Sequence, residues 1–531
     1  MLKSLEFASI QLHGSHSLTQ GCELPKLMHH VGGEWVEAGE YYTVVNPLTG
    51  EPLFEHPDAP SESSWLTPFV EGLGRCPTSG LHNPLKNPDR LLMLGEVCFK
   101  AACVLQNEEV AAYFAGLIQR VMPKSFAQCM GEVTVTRQFL KNSSGDGARF
   151  LLNGETTPGD HTGQEISTYH WPYGSVVIVA PFNFPLEIPA LQLVSALLAG
   201  NRPTIKAAST VAVVIEQFLR LLFACGLPRE DVDLIHCSGS YMEHFIITAK
   251  DKIRQLQFTG SSSVAETSAI TMRGKIAIED AGFNWKIFGP DFNPMYLDWV
   301  AYQCDQDAYA ASGQKCSAQS ITFVHDNWGE ALVSRLKDLA RARTLGNLTI
   351  GPVLTWKNDE MLEHVAKLAA LDNARVLFGG NPLKGHNIPD KYGAIEPTAV
   401  FVPLDQIAEN FDLVCTEVFG PVQVVTNWSS EAKLVHLLGL VERMEQRLTA
   451  AVVSNSQLFT NRVLAHTVNG TTYVGMRART TGAPQNHWFG PAGDPRSAGI
   501  GSPGSIIRTW TSPRCIVKDV GPAPEKIPEQ S

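Results

Sequence analysis

Three kinds of hydrophobic patterning divide the chain. Between Arg90 and about Gln119, Leu91, Leu92, Leu94, Val97, Cys98 and Ala101 recur with a period of about 3.6 residues, which predicts a helix with one apolar face. Val110, Ala111, Phe114 and Leu117 continue it as a second apolar helix. Glu165-Ile166-Ser167-Thr168-Tyr169-His170-Trp171 alternates polar and apolar residues, as a strand does. It follows the turn-forming run Thr156-Thr157-Pro158-Gly159, so the two predict a protruding hairpin.

The third pattern is a rhythm. Ser175–Ala180 is a continuous apolar run, expected of a strand buried on both faces. Leu191–Leu198 reads as its helix and Arg202–Lys206 as the next strand. Val211–Cys225 is helical again, with Gly226 as its C-terminal stop. Val232–His236 and Ile253–Phe258 are further strands. Such alternation predicts an α/β fold: a parallel sheet covered by helices, with ligands at the carboxyl ends of the strands. Before it, residues 1–60 are broken by Pro and Gly into short strands and turns around Val31–Trp35 and Thr43–Pro47. Beyond Asp519 a tail rich in Pro, Glu and Lys is expected to fray.

With 531 residues the chain exceeds the size of one core, so two or three domains are expected. A net charge of −11 argues against nucleic acid. The most apolar stretch, Val211–Leu227, is broken by Glu216, Gln217 and Arg220, which argues against a membrane span. Eleven cysteines without a Cys-x-x-Cys pair argue against a disulfide framework or a zinc ribbon, leaving a reducing compartment and no metal site. The N-terminus shows neither a secretory apolar region nor an Arg-rich transit peptide, which fits either a cytosolic chain or a mature form whose targeting segment is missing.

Five short stretches carry candidate chemistry. In Ala311-Ser312-Gly313-Gln314-Lys315-Cys316-Ser317 a cysteine has polar and basic neighbours, the kind of surroundings that favour a reactive thiolate. Pro181-Phe182-Asn183-Phe184-Pro185 follows the apolar strand directly and offers an amide at its carboxyl end, suited to an oxyanion. Phe258–Glu266 reads as strand, small-residue turn and helix, with Ser263 and Glu266 as a capping box and exposed amides fit for a pyrophosphate. Glu279–Asn284 places a carboxylate where a general base could sit, with Asp280 as a rival one residue on. Glu417–Val422 joins a carboxylate to an aromatic ring before a Gly-Pro break. Taken singly, most of these fit ordinary turns, caps and core packing as well.

In this order and spacing, over about residues 30 to 515, the five stretches resemble the motif set of the aldehyde dehydrogenase superfamily. The resemblance implies Cys316 as nucleophile, Asn183 as oxyanion amide and Glu279 as the base for deacylation. It further implies an NAD site formed by Phe182, Lys206, Ser209, Gly260, Ser261, Glu417 and Phe419. Ser209 stands where many members carry an acid that would repel a 2′-phosphate, so NAD against NADP stays open. Ser317, with Thr481-Gly482-Ala483 and Trp488-Phe489-Gly490, is similar to the delta-1-pyrroline-5-carboxylate dehydrogenases, most of all their plant-type branch.

That likeness implies oxidation of L-glutamate γ-semialdehyde to glutamate in proline catabolism, in the mitochondrial matrix. Ser317, Gly482 and Ala483 would hold the substrate carboxylate, flanked by Phe184 and Phe489. The alternatives are an aldehyde dehydrogenase for succinic semialdehyde or a betaine aldehyde, and a non-catalytic relative. The implied architecture has a Rossmann-type NAD-binding domain (1–149 and 172–288) and a catalytic domain (289–494). A small β oligomerisation flap with the tail (150–171 and 495–531) completes it and implies a homodimer or higher homo-oligomer.

Overall fold

A computed structural model describes residues 24–58, 63–280, 282–482, 486–523 and 525–530, the side chains of 63 and 64 excepted. Its frame is two seven-stranded sheets and one three-stranded sheet. In the first large sheet the strands Ile276–Glu279, Gln255–Thr259, Ser175–Ala180, Arg202–Ala207 and Asp233–Leu234 lie side by side and parallel. His29–Val31 and Glu34–Val36 add an antiparallel edge. Buried on both faces, the Ser175 strand reads as an unbroken apolar run, as parallel strands do.

Registry gathers the chemistry. Val179 pairs with Lys206 and Phe258, and Thr259 pairs with Glu279. The Pro181 loop, Lys206, the Gly260 turn and Glu279 therefore emerge together at the carboxyl ends of neighbouring strands. The chain then crosses within a few residues to Asn284–Phe288, in the middle of the second large sheet. There Gln319–His325 and Thr449–Val453 flank it in parallel, followed outward by Val422–Trp428 and Thr471–Val474. Cys316 precedes the Gln319 strand and Glu417 the Val422 strand, so this sheet presents amino ends to the carboxyl ends of the first. The sequence rule located only half of the site.

The two helices expected between Arg90 and Gln119 are Pro88–Gln106 and Glu108–Val121. Asn107 separates them, its side chain accepting from the N–H groups of Glu109 and Val110. A third helix, Phe126–Asn142, packs on both. Its apolar spacing is diluted by buried Glu132 and Thr136, and the hydrophobic pattern does not reveal it. The hairpin is present as Glu155–Pro158 and Gln164–Pro172, with Thr511–Asp519 paired along its outer strand. Gly226, at φ +103°, terminates Ala212–Ala224 as expected. The capping box is not formed: the helix spans Ser262–Thr271 after Ser261, whose side chain makes no cap, and Glu266 pairs with Arg496 instead. That ion pair joins residues 230 apart in sequence, which local spacing cannot show. Among the described residues no helix is long and apolar enough to cross a membrane.

Candidate active site

The turn that delivers Cys316 is built from unusual backbone. Ala311, Ser312 and Gly313 all have positive φ, at 55°, 56° and 71°. Two non-glycine residues in succession in that region store strain and need outside support. The segment Gly351–Leu354 supplies it. The Ser312 hydroxyl donates to the Gly351 carbonyl (3.0 Å) and accepts from its N–H (2.8 Å). The Gln314 amide donates to the Pro352 carbonyl at 2.9 Å and accepts from Leu354 N–H at 2.8 Å. The polar residues around the cysteine are thus buried clamps, while the Lys315 ammonium turns away to the Gln306 carbonyl (2.8 Å).

Three loops lock against one another here. A Cβ on Gly313 would strike the Gly420 carbonyl, and one on Gly282 would strike the carbonyl of Cys316. Gly282 N–H donates to Glu417 Oε1 at 3.2 Å. The buried Asn284 side chain donates to the Cys316 and Ala318 carbonyls, both at 2.8 Å, and accepts from Thr449. The Glu417 loop, the Glu279 loop and the thiol loop are thus joined through backbone contacts.

Cys316 forms part of the wall of a cavity of about 190 Å³ shared with Phe184, Glu187, Ser317, Thr481, Gly482 and Phe489. Burial, then the neighbouring Glu279 carboxyl, push the thiol well above its ordinary pKa. This corrects the expectation of a thiolate favoured by basic neighbours, because Lys315 is adjacent in sequence but not in electrostatic effect. At rest the group is a thiol that needs a base. Glu279 is in contact with it, and burial, partly opposed by that hydrogen bond, raises its carboxyl to about 7. Its Oε1 is buried without a hydrogen-bond partner among the described residues. Asp280 makes no such contact with the thiol: its backbone carbonyl accepts from Ser262, and its own upward shift stems mainly from burial.

Asn183 is buried. Its carbonyl is fixed by Lys124 Nζ at 3.0 Å. Lys124 is fully buried, in an ion pair with Glu132, and lies 4.5 Å over the Phe184 ring. Glu132 also accepts from Leu186 and Glu187 N–H at 3.1 and 3.2 Å. One ion pair thereby anchors both the Asn183 loop and the start of the helix Glu187–Leu198. A second, Lys286 with Asp307 (2.7 Å), sets the opposite wall, where Asp307 accepts from Thr480 N–H (2.8 Å) and the Thr481 hydroxyl (2.5 Å). Motif reading missed all four residues. Lys286 did carry a signal, since a lysine inside the apolar run Trp285-Lys286-Ile287-Phe288 requires a buried partner.

The remaining predicted positions fall as follows. Ser317 and Gly482 reach the cavity, and a Cβ on Gly482 would run into the Tyr473 hydroxyl. Ala483 lies outside the described residues. Phe182 and Phe419 meet edge to face at 5.9 Å, Phe419 with a positive φ of 49°. Lys206 is buried beside Cys237, its ammonium lowered chiefly by burial. The Ser209 hydroxyl donates to the Cys237 carbonyl at 3.0 Å. Gly260 N–H reaches the Glu279 carbonyl, and the uncapped start of the Ser262 helix leaves N–H groups free for an anion. Burial lifts the Glu417 carboxyl to about 8. A buried lysine, an uncapped helix start and a carboxyl held by Gly282 form a donor and acceptor set that fits a dinucleotide.

Comparisons with known proteins bear on the family and the fold. Residues 95–498 match the model of the aldehyde dehydrogenase family. Over 529 residues the chain is 50% identical to delta-1-pyrroline-5-carboxylate dehydrogenase 12A1, mitochondrial, of Arabidopsis thaliana, covering 98% of this chain and 93% of that one. Among solved structures, aldehyde dehydrogenase 21 from Physcomitrella patens, in complex with the reaction product succinate, superposes with a TM-score of 0.80 at 18% identity over 94% of this chain and all of that one. PnpE in complex with nicotinamide adenine dinucleotide gives 0.80 at 20% identity over 94% and 99%. With the family model spanning most of the sequence and the fold shared throughout, the chain belongs to the aldehyde dehydrogenase family.

Proposed function

We propose that this enzyme oxidises L-glutamate γ-semialdehyde, which equilibrates with delta-1-pyrroline-5-carboxylate, to L-glutamate in proline catabolism, with NAD as cofactor. The observation that carries it is half-identity over nearly the whole chain to an Arabidopsis enzyme named for that reaction. The chain is an NAD-dependent aldehyde dehydrogenase. We further propose Cys316 as nucleophile, Glu279 as base and Asn183 as oxyanion donor.

Glu279 takes the thiol proton as sulfur attacks the aldehyde carbon, so a thiohemiacetal forms without a free thiolate beforehand. The Asn183 amide donates to the oxyanion, its position held by Lys124 through the carbonyl of the same residue. NAD, when bound, would supply a hydride acceptor; Lys206, Gly260, Ser261 and Glu417 would hold it, with Phe182, Ser209 and Phe419 shaping its site. After hydride loss the product on Cys316 is a thioester. Glu279, once free of its proton, takes one from water, whose oxygen adds to the acyl carbon as the C–S bond breaks. Ser317, Gly482 and Ala483 are assigned to the substrate carboxylate, and Phe184 and Phe489 to its aliphatic chain.

The test is NADH formation by the purified enzyme with glutamate γ-semialdehyde and with succinic semialdehyde, with Cys316→Ser alongside. Preference for the amino-acid aldehyde, abolished in the variant, is expected. Activity on succinic semialdehyde alone would refute the substrate, and activity retained by the variant would refute the nucleophile.

The division into an NAD-binding part, a catalytic part and a flap is proposed together with homo-oligomer formation through the three-stranded sheet, whose edge strand Thr511–Asp519 pairs on one side only among the described residues. Truncation after Trp510 should then lower the mass seen by sedimentation, and an unchanged mass would count against it. Residence in the mitochondrial matrix is proposed from the name of the Arabidopsis relative. Cell fractionation that finds the enzyme outside mitochondria would reject it.

A further inference from the structure

One ionisable group in the cavity above Cys316 has no part in the chemistry so far. Glu187, the first residue of the helix Glu187–Leu198, lines the cavity with Phe184, Ile188, Ser317 and Gly482. The residue is 7% exposed, yet its carboxyl makes no hydrogen bond or ion pair with the described residues. Its acidic neighbours have other contacts: Glu132 holds Lys124 and two backbone N–H groups, and Glu279 holds the thiol through one of its oxygens. Burial first and the Glu132 charge second hold the Glu187 carboxyl well above its usual range, with the Lys124 ammonium opposing them. A carboxyl that faces an enclosed cavity without a protein partner is costly, and a leucine could line an aliphatic cavity without that cost.

We propose that Glu187 receives the α-ammonium group of the substrate and so sets the preference for aldehydes that carry one. The proposal rests on the substrate reading above. That substrate brings a carboxylate and an ammonium into the same cavity. The hydroxyl of Ser317 and the backbone N–H at Gly482 are neutral donors that suit the carboxylate and bring no negative charge to balance an ammonium. Glu187 is the uncommitted acceptor on the wall formed by the helix. An arriving ammonium offers it charge-assisted hydrogen bonds, and the carboxyl ionises against a positive charge in a site that otherwise disfavours its anion. Selectivity of this kind is strong because an analogue lacking the amine leaves the buried carboxyl unpartnered.

The experiment compares glutamate γ-semialdehyde with glutarate semialdehyde, the same chain without the amine, on the full-length enzyme and Glu187→Gln. The wild type should favour the amino-acid aldehyde. In the variant the ratio of kcat/KM for the two substrates should fall about tenfold to a hundredfold, mainly through KM of the amino-acid aldehyde. An unchanged ratio in an active variant overturns the role of Glu187 and leaves the substrate reading intact. So does an equal loss of kcat on both substrates, which would mark a proton-transfer role toward Glu279. A wild type inactive on the amino-acid aldehyde defeats both readings. Product inhibition of the wild type is independent of how the variant folds: glutamate should inhibit more tightly than glutarate, and equal inhibition overturns the proposal.

Discussion

At the scale of single residues, the proposed nucleophile and its proposed base each shift the other's titration. Cys316 is held protonated by burial and by the carboxyl beside it, so its sequence neighbours say little about its reactivity. Glu279, at about 7, is half ionised at neutral pH and must be ionised to accept the thiol proton. The rate should therefore rise as pH increases through about 7, since protonated Glu279 cannot act as base. We predict that kcat/KM shows this ascending limb in the wild type. In Glu279→Gln the limb should vanish and activity should fall by about 10²–10⁴. A limb that persists in the variant would assign the base elsewhere. The motif identified both residues by type and position. It could not reveal that Lys124 fixes Asn183, because Lys124 lies 59 residues away in sequence.

At the scale of elements, the site depends on loops that touch through backbone. Gly313 has a positive φ and faces the Gly420 carbonyl, so a methyl group there meets both strain and a clash. Gly313→Ala should cost several kcal/mol by these two effects together and displace Cys316 from Glu279. Gly329→Ala is a control, because nothing lies within 4 Å of its added Cβ. The expected outcome is a clear loss of Tm and near-complete loss of NADH formation in the first variant, with the second close to wild type. Equal behaviour of the two would show that the loops are not rigidly locked. Strands and most helices of the first large sheet are legible in the hydrophobic pattern. The helix Phe126–Asn142, carrying Glu132, is not, because a buried ion pair replaces apolar residues at its core.

For the whole molecule, the two large sheets meet with unlike ends, and the site lies where they face each other. That arrangement buries acidic groups, and the burial has a measurable sign. Glu417 keeps its proton in the folded state up to about 8 but loses it near the usual carboxylate value when unfolded. Between those pH values unfolding releases a proton, so this group destabilises the fold increasingly as pH rises. Glu417→Gln cannot ionise and should gain stability relative to wild type as pH increases from 5 to 9, by about 1 kcal/mol or more in the absence of NAD. Thermal melts at the two pH values check this, and a gain that is equal at both, or larger at pH 5, would contradict the buried acid.

The sequence by itself determined the α/β class, the two leading helices, the hairpin and the five stretches that carry the chemistry. Those follow from local periodicity and from residue types that only particular reactions require. Tertiary structure alone decided which groups touch. Cys316 and Glu279 meet because the strand ending at Glu279 and the strand starting at Asn284 lie in different sheets, and Lys315 loses its influence because its ammonium is drawn to Gln306. The pairs Lys124–Glu132 and Lys286–Asp307 were likewise set by long-range packing. Burial is a property of the folded whole, and at this site it, more than any neighbour in sequence, fixes the protonation of Cys316, Glu279, Glu187 and Glu417.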